Sequence, residues 1–157
     1  MVRTRLAAVA VLLSLGLAAA CVPPSPPPTT VAPGGTAGAV AAAINQDRAA
    51  YGLAPVAWNQ RLGDVAQHWS AVLAFTGQLT HQDLTSLIES PAFAGWHTMA
   101  ENLLVAPAGS GARAIENAWM ASAEHRAHIL DRSNTLVGVG LTYDSQGRVW
   151  VVADFGG

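Results

Sequence analysis

The spacing of apolar side chains predicts four helices in the central and C-terminal parts of the chain. In each helix, apolar residues recur every three or four positions, so that they line one face. The predicted helices cover residues 39–51, 59–75, 110–122 and 123–130. Asn59 stands where an amide side chain can cap the second helix, and Gly52 follows the first helix, where helices commonly end.

The pattern changes from helical to alternating near the C-terminus. Val137, Val139 and Leu141 alternate with small or polar residues, and the turn sequence DSQG separates this segment from a second one over residues 148–155. A period of two and a short polar turn predict an antiparallel hairpin. Helices followed by a hairpin predict an α+β fold in a single domain, covering residues 37–157.

The N-terminal segment has the pattern of an export signal. Arg3 and Arg5 precede an uncharged, mostly apolar run that ends in three alanines just before Cys21. This order predicts a signal peptide over residues 1–20. The small residues before Cys21 also resemble the lipobox of bacterial lipoproteins, which implies that Cys21 is acylated and anchors the protein to the cell membrane, facing outward. The alternative is simple cleavage after Ala20, which would leave a secreted protein.

Residues 21–36 are interpreted as a linker between this signal and the folded domain. Six of the fifteen residues over 22–36 are prolines. Proline removes backbone donors and favours an extended chain, so the segment is suited to hold the domain away from a membrane. A ligand for a proline-recognising domain is the alternative.

Composition narrows the function classes. The 157 residues are 51% apolar, which is enough for a core, and they carry a net charge of −2. All eight basic residues are arginines, and this balance offers no basic surface for nucleic acid. A single cysteine excludes a disulfide within the chain. The sequence contains neither a GxGxxG motif nor a Walker-type loop, so it gives no sign of a nucleotide-binding site.

Three separated polar residues are the candidates for chemistry. His81 follows the second predicted helix, Glu101 lies in the sequence MAEN, and His125 begins the run HRAHIL. Two imidazoles and a carboxylate can bind a divalent metal and leave a position open for water or substrate. Their spacing matches no compact ligand motif, so the residues alone leave open that all three are ordinary surface or hydrogen-bonded side chains.

The order of several segments resembles the CAP superfamily, also called SCP/TAPS, in its small bacterial branch. The segments are INQDRAAYGLAPVAW, RLGDVAQHWS, LTHQD, AENL, AWMASAEHRAHIL and VGVGLTYD. The pattern W-x-x-S-x-x-H-R-x-x-I-L, here residues 119–130, is the most specific element. The resemblance implies an α-β-α sandwich with a central antiparallel sheet.

The resemblance also implies a cleft with two histidines and two glutamates. His81 and His125 match the two histidines, which in several members bind a divalent metal, often zinc. Glu101 matches the first glutamate. Ser122 stands where the second glutamate is expected, so the set is incomplete, and a neutral hydroxyl is a poor metal ligand and a poor general base.

Three further residues are assigned around this cleft. Asn102 is expected to hydrogen bond the backbone near Glu101 and so position it. Trp96, which follows a glycine close to Glu101 in the sequence, is a candidate for the cleft wall. His128 lies three positions after His125 and is expected to pack as a polar residue rather than as a ligand.

Three functions remain open at this stage. The first is an exported binding protein, anchored through Cys21, whose cleft holds a divalent metal and a small apolar or lipid ligand. The second is a metal-dependent hydrolase of peptide, ester or cell-wall bonds, which the missing glutamate at Ser122 argues against. The third is a cell-surface protein-interaction domain whose protein partner the sequence does not identify.

Overall fold

The computed structural model describes residues 34–157. Its helices are α1 (Thr36–Ala50), α2 (Gln60–Thr76), α3 (Leu84–Ile88), α4 (Ala112–Ala121) and α5 (Ala123–Leu130), with a 3-10 turn at Pro91–Phe93. Its strands are β1 (Ala57–Trp58), β2 (Met99–Pro107), β3 (Leu136–Tyr143) and β4 (Arg148–Gly156). The predicted signal peptide, Cys21 and nearly all of the proline-rich linker lie outside the described residues.

The four predicted helices and the C-terminal hairpin are confirmed, with ends that differ by at most three residues. α1 begins at Thr36, which we had assigned to the linker. Asn59 caps α2 as expected, because its side chain accepts a hydrogen bond from the backbone N–H of Leu62. The apolar pattern predicts neither the five-residue helix α3 nor the nine-residue strand β2.

The strands form one sheet in the order β1-β3-β4-β2. The three long strands pair antiparallel, and the two-residue strand β1 pairs parallel to β3. In the register of β2 and β4, Glu101 lies opposite Asp154 and Asn102 lies opposite Ala153. Neighbouring residues of a strand point to opposite faces, so Glu101 and Asn102 serve different sides of the sheet.

Helix α2 covers one face of the sheet and lies unusually close to it. The glycines that alternate along β3 allow this approach, because a Cβ on Gly138 would lie 2.1 Å from the backbone N of Gly63. Between α2 and the sheet lies a small apolar cluster, made of Ala66, Leu73, Leu103, Trp150 and Val152.

Helices α1, α4 and α5 cover the other face over the larger core. Its buried members include Val40, Ile44, Ile115, Trp119, Ile129, Val139, Val151 and Phe155. The indole N–H of Trp119 donates to the Leu103 carbonyl at 3.0 Å and so ties α4 to β2. The result is the predicted α-β-α sandwich. Within residues 34–157, every helix is too short or too polar to cross a membrane.

Candidate metal-binding cleft

The end of α2 determines where His81 lies. The helix stops at Gly77, whose φ of 68° is left-handed and suits glycine. The chain then turns back, and the indole N–H of Trp69 donates to the Thr80 carbonyl at 2.9 Å. Trp69 itself packs on the apolar cluster beneath α2. Trp69, which packs against the core, therefore positions the loop residue that directly precedes His81.

His81 meets Glu101 at strand β2. The Nδ1 atom of His81 lies 2.7 Å from Oε1 of Glu101, and the backbone N–H of Gln82 donates to the same oxygen at 3.2 Å. The side chain of Glu101 is fully buried, whereas that of His81 is 56% exposed. When the carboxylate accepts from Nδ1–H, the neutral imidazole keeps its lone pair on Nε2. The contact with Glu101 therefore fixes the orientation of the His81 ring and leaves Nε2 as the nitrogen that can bind a ligand.

Two further side chains, Gln82 and Asp154, complete the surroundings of Glu101. The Nε2 amide of Gln82 donates to Oε2 of Glu101 at 2.8 Å and to the two carboxyl oxygens of Asp154 at 2.9 and 3.0 Å. Asp154 lies directly opposite Glu101 in the sheet and is buried. The amide of Gln82 thus links the two carboxyl groups by hydrogen bonds to both of them.

Burial raises the pKa of both carboxyl groups. For Glu101, burial raises the pKa, and hydrogen bonds from His81 and Gln82 oppose that shift. For Asp154, burial raises the pKa well above its ordinary value, the charge of Glu101 raises it further, and Gln82 lowers it. We infer that the pair favours a state with one proton, in which Asp154 is neutral and Glu101 accepts from His81.

Asn102 acts on the opposite side of the sheet from Glu101. Its amide Nδ2 donates to the His125 carbonyl at 3.0 Å, and its Oδ1 lies 2.9 Å from Nδ1 of His128. Asn102 therefore does hydrogen bond a backbone carbonyl, but it is that of His125 on α5, and no hydrogen bond of the described residues links Asn102 to the Glu101 side chain. The physical reason is the alternation of a strand, which directs the residue after Glu101 toward α5.

His125, the second predicted metal ligand, lies half-buried on α5 and is brought into electrostatic range of His81. Burial lowers its pKa, Glu124 raises it, and the neighbouring imidazoles of His128 and His81 lower it further. Its imidazole is therefore uncharged at neutral pH. An uncharged imidazole is the form that binds a metal.

A divalent metal in this cleft would have at most two protein ligands. In the described part of the chain, no three or more His, Cys, Asp or Glu residues come together in a group able to hold an ion. Both oxygens of Glu101 already accept hydrogen bonds, so Glu101 orients His81 rather than coordinating. His81 and His125 offer two imidazole nitrogens, and water or a ligand would complete the coordination.

Ser122 and Trp96 occupy the borders of this region. Ser122 lies at the junction of α4 and α5, where its carbonyl accepts from the Arg126 N–H at 2.9 Å. Among the hydrogen bonds of residues 34–157, none joins its hydroxyl to His125. Trp96 contacts Phe93 edge-on at 4.9 Å and covers Gly156, two residues beyond Asp154. Trp96 therefore closes the end of the sheet beside the two carboxyl groups.

Gln82 and Asp154 are functional candidates that sequence reasoning missed. Asp154 is the one acidic residue within the otherwise apolar sequence VWVVADF, and this was a readable signal. A charged residue amid a buried run is costly unless it has a partner. Gln82 gave no such signal, because glutamine is common in exposed loops.

Comparison with known proteins agrees with the fold described above. A model of the family described as "CAP: Cysteine-rich secretory protein family" matches residues 41–155. Among solved structures, an outer surface protein from Borrelia burgdorferi is similar, with a TM-score of 0.66 and 18% identity over 74% of this chain and 88% of that one. The search of curated proteins found no match.

Two further solved structures share the fold. An extracellular protein containing an SCP domain from Bacillus anthracis has a TM-score of 0.61 and 22% identity over 76% of this chain, which spans only 39% of that protein. A structure described as NaASP2 with Zn2+ has a TM-score of 0.55 and 11% identity over 74% of this chain and 76% of that one. At these identities the likeness establishes the fold alone.

Proposed function

This chain belongs to the cysteine-rich secretory protein (CAP) family, and we propose that it is an exported binding protein whose cleft holds a divalent metal, preferably zinc, through His81 and His125. The observation that carries the proposal is the 2.7 Å contact between Nδ1 of His81 and the buried Glu101. Metal-binding histidines commonly donate their second ring N–H to a carboxylate, which fixes the tautomer and raises the basicity of the ligating nitrogen.

The remaining chemistry supports a binding role. His125 is uncharged at neutral pH because burial lowers its pKa. Two imidazoles suit zinc and leave positions for water or for the polar group of a small apolar or lipid ligand. The one neighbour described with Zn2+, NaASP2, has the same fold, which makes zinc the first metal to test.

Export and anchoring complete the proposal. The neighbours from Borrelia burgdorferi and Bacillus anthracis are described as an outer surface protein and an extracellular protein. Together with the signal pattern of residues 1–20, they support a protein that leaves the cytoplasm. Acylated Cys21 would fix it to the outer side of the cell membrane, and residues 22–36 would act as the spacer.

Zinc titration by calorimetry tests the metal site. Wild type should bind about one zinc per chain at pH 7.5, and the double variant His81→Ala/His125→Ala should lose that binding. His68→Ala is the matched control, because His68 is exposed on α2. Since protons compete with the metal for imidazole nitrogen, affinity should fall steeply below about pH 6. Equal zinc affinity of wild type and the double variant would refute the site.

Mass spectrometry of membrane fractions tests the anchor. Wild type should carry acyl chains on an N-terminal Cys21 and remain with the membrane, whereas Cys21→Ser should be released without acyl mass. A wild-type protein found in the medium and cleaved after Ala20 would overturn the anchor and leave the metal proposal untouched.

A further inference from the structure

A second cavity lies beside the cleft, on the α5 side of the sheet. It has a volume of about 450 Å³ and opens between α3, the start of β2 and the end of α5. This volume lies within the range of sites that bind small molecules. None of His81, Glu101, Ser122 and His125 lines it, so the cavity is distinct from the metal-binding cleft.

One side of the cavity is apolar, and the other side carries hydrogen-bond acceptors. Its apolar side includes Leu84 and Ile88 of α3 together with Met99 of β2. Its polar side includes His128, Asp131 and Asn134, and no arginine is among the lining residues. A ligand that fits both sides must combine a hydrogen-bond donor with a short apolar group.

The structure determines which nitrogen of His128 is available as an acceptor. Asn102 donates through Nδ2 to the His125 carbonyl, so its Oδ1 is the atom that faces Nδ1 of His128. An amide oxygen can only accept, and Nδ1 of His128 must therefore carry the proton. In the neutral imidazole the lone pair then lies on Nε2.

Asp131 and Asn134 supply the other acceptors. Hydrogen bonds from the backbone and the hydroxyl of Ser133 to Oδ1 hold the pKa of Asp131 below its usual range, so that its carboxylate is charged. Asn134 donates through Nδ2 to the His128 carbonyl, and this leaves its Oδ1 as the accepting atom. Arg48 lies behind these residues, where it donates to the carbonyls of Ile129, Asp131 and Asn134 and is buried.

We propose that this cavity is a binding site for a small organic amine, an ammonium group carried on a short apolar chain or ring. The ammonium would donate to Asp131 and to Nε2 of His128, and the chain would pack against Leu84, Ile88 and Met99. A charged donor suits a carboxylate and an imidazole lone pair, whereas a carboxylic acid would place its negative charge beside Asp131.

NMR titration of the labelled protein with n-hexylamine tests the site at pH 8, in the presence of EDTA. At this pH an alkylamine is protonated. Saturable shifts are expected at Ile88, Met99 and His128, with a dissociation constant on the order of a millimolar for so small a ligand. Hexanoate, which has the same chain and the opposite charge, should not produce them. EDTA separates this result from that of the zinc site.

Two variants distinguish amine recognition from general attraction to an acidic surface. Asp131→Asn should weaken hexylamine binding about tenfold, and Thr85→Trp, on the exposed side of α3, should block the cavity. Asp64→Asn removes the same charge from an exposed position of α2 and should leave the affinity unchanged. Shifts that do not saturate, equal shifts with hexanoate, or unchanged affinity in Asp131→Asn would each overturn the proposal.

Discussion

The two sides of the sheet treat buried carboxyl groups in opposite ways. On the α2 side, Glu101 and Asp154 share the amide of Gln82, and Glu101 also accepts from His81. On the other side, Glu116 of α4 is fully buried next to the carboxyl group of Asp47, and no N–H donor of the described residues reaches its oxygens. A buried carboxyl group with donors can orient a functional side chain, whereas one without donors lowers stability.

The two faces of the sheet can also be compared by how closely they are packed, and α2 lies very close to β3. Of the substitutions considered, Gly140→Ala should therefore have the largest effect on stability. A Cβ at Gly140 would lie 2.2 Å from the backbone N of Gln67 and 2.3 Å from the carbonyl carbon of Ala66. Since backbone rather than a flexible side chain is in the way, α2 must move off β3. We expect a loss of about 3 kcal/mol in the free energy of unfolding, measured with urea.

Gly109→Ala is the control for this prediction. Gly109 is exposed in the loop after β2, and a Cβ there would meet no atom within 4 Å. Its substitution should change the free energy of unfolding by less than about 0.5 kcal/mol. A cost at Gly140 as small as that at Gly109 would show that α2 does not pack as closely as described.

The contrast also shows what a sequence can and cannot predict. Helix α5 and the β3–β4 hairpin were predictable because their periods are local, and the glycines of β3 belong to that pattern. Strand β2 was missed because MAENLLVAP lacks a clear period of two. The contact between His81 and Glu101 was accessible only through resemblance to a family, since 20 residues separate them.

The partners of Glu101 and Glu116 depend on long-range packing, which no local pattern reveals. Asp154 meets Glu101 because of the β2–β4 register, and Asn102 turns away from Glu101 because of the same strand alternation. Glu116 reads in the sequence as an ordinary polar position of α4. The structure shows that it faces Asp47 of α1, because its pKa is raised first by burial and then by that charge.

Glu116→Gln tests the side of the sheet on which the buried carboxyl group lacks a hydrogen-bond donor. Burial and the charge of Asp47 raise the pKa of Glu116 to about 8. The pKa of this carboxyl group is higher in the folded state than in the unfolded state, where it is near 4.5. Its contribution to the free energy of unfolding is therefore fully present below pH 4.5 and is lost as pH rises through 8. A neutral amide cannot lose a proton, so Glu116→Gln should stabilise the protein by about 2 kcal/mol at pH 7 and by much less at pH 5.

Urea unfolding at pH 5, 7 and 8 measures this difference. Glu89→Gln serves as the matched control, because Glu89 is exposed at the end of α3 and its substitution should leave the pH dependence nearly as in wild type. A Glu116→Gln variant that is destabilised equally at all three values would mean that the carboxyl group has a partner and that the two sides do not differ.

Gln82→Met tests the α2 side of the sheet, where the buried carboxyl groups have a donor, and its expected effect is smaller. Methionine keeps the length of the side chain but removes the amide that donates to Glu101 and Asp154. We expect a loss of about 1 kcal/mol at pH 7, because Gln82 is only half-buried and water can replace part of its role. Gln78→Met, in the same loop but exposed, should be close to neutral.

The pH dependence and the zinc affinity make this last test specific. Gln82 lowers the pKa of both carboxyl groups, so its removal should raise both values further. The stability of Gln82→Met should then fall more steeply than wild type between pH 5 and 8, since raised carboxyl groups lose their contribution as pH increases. Zinc affinity should fall about threefold because Glu101 holds His81 less firmly. An unchanged pH slope together with unchanged zinc affinity would show that Gln82 only fills space, and that His81 needs no more than Glu101 to hold it in place.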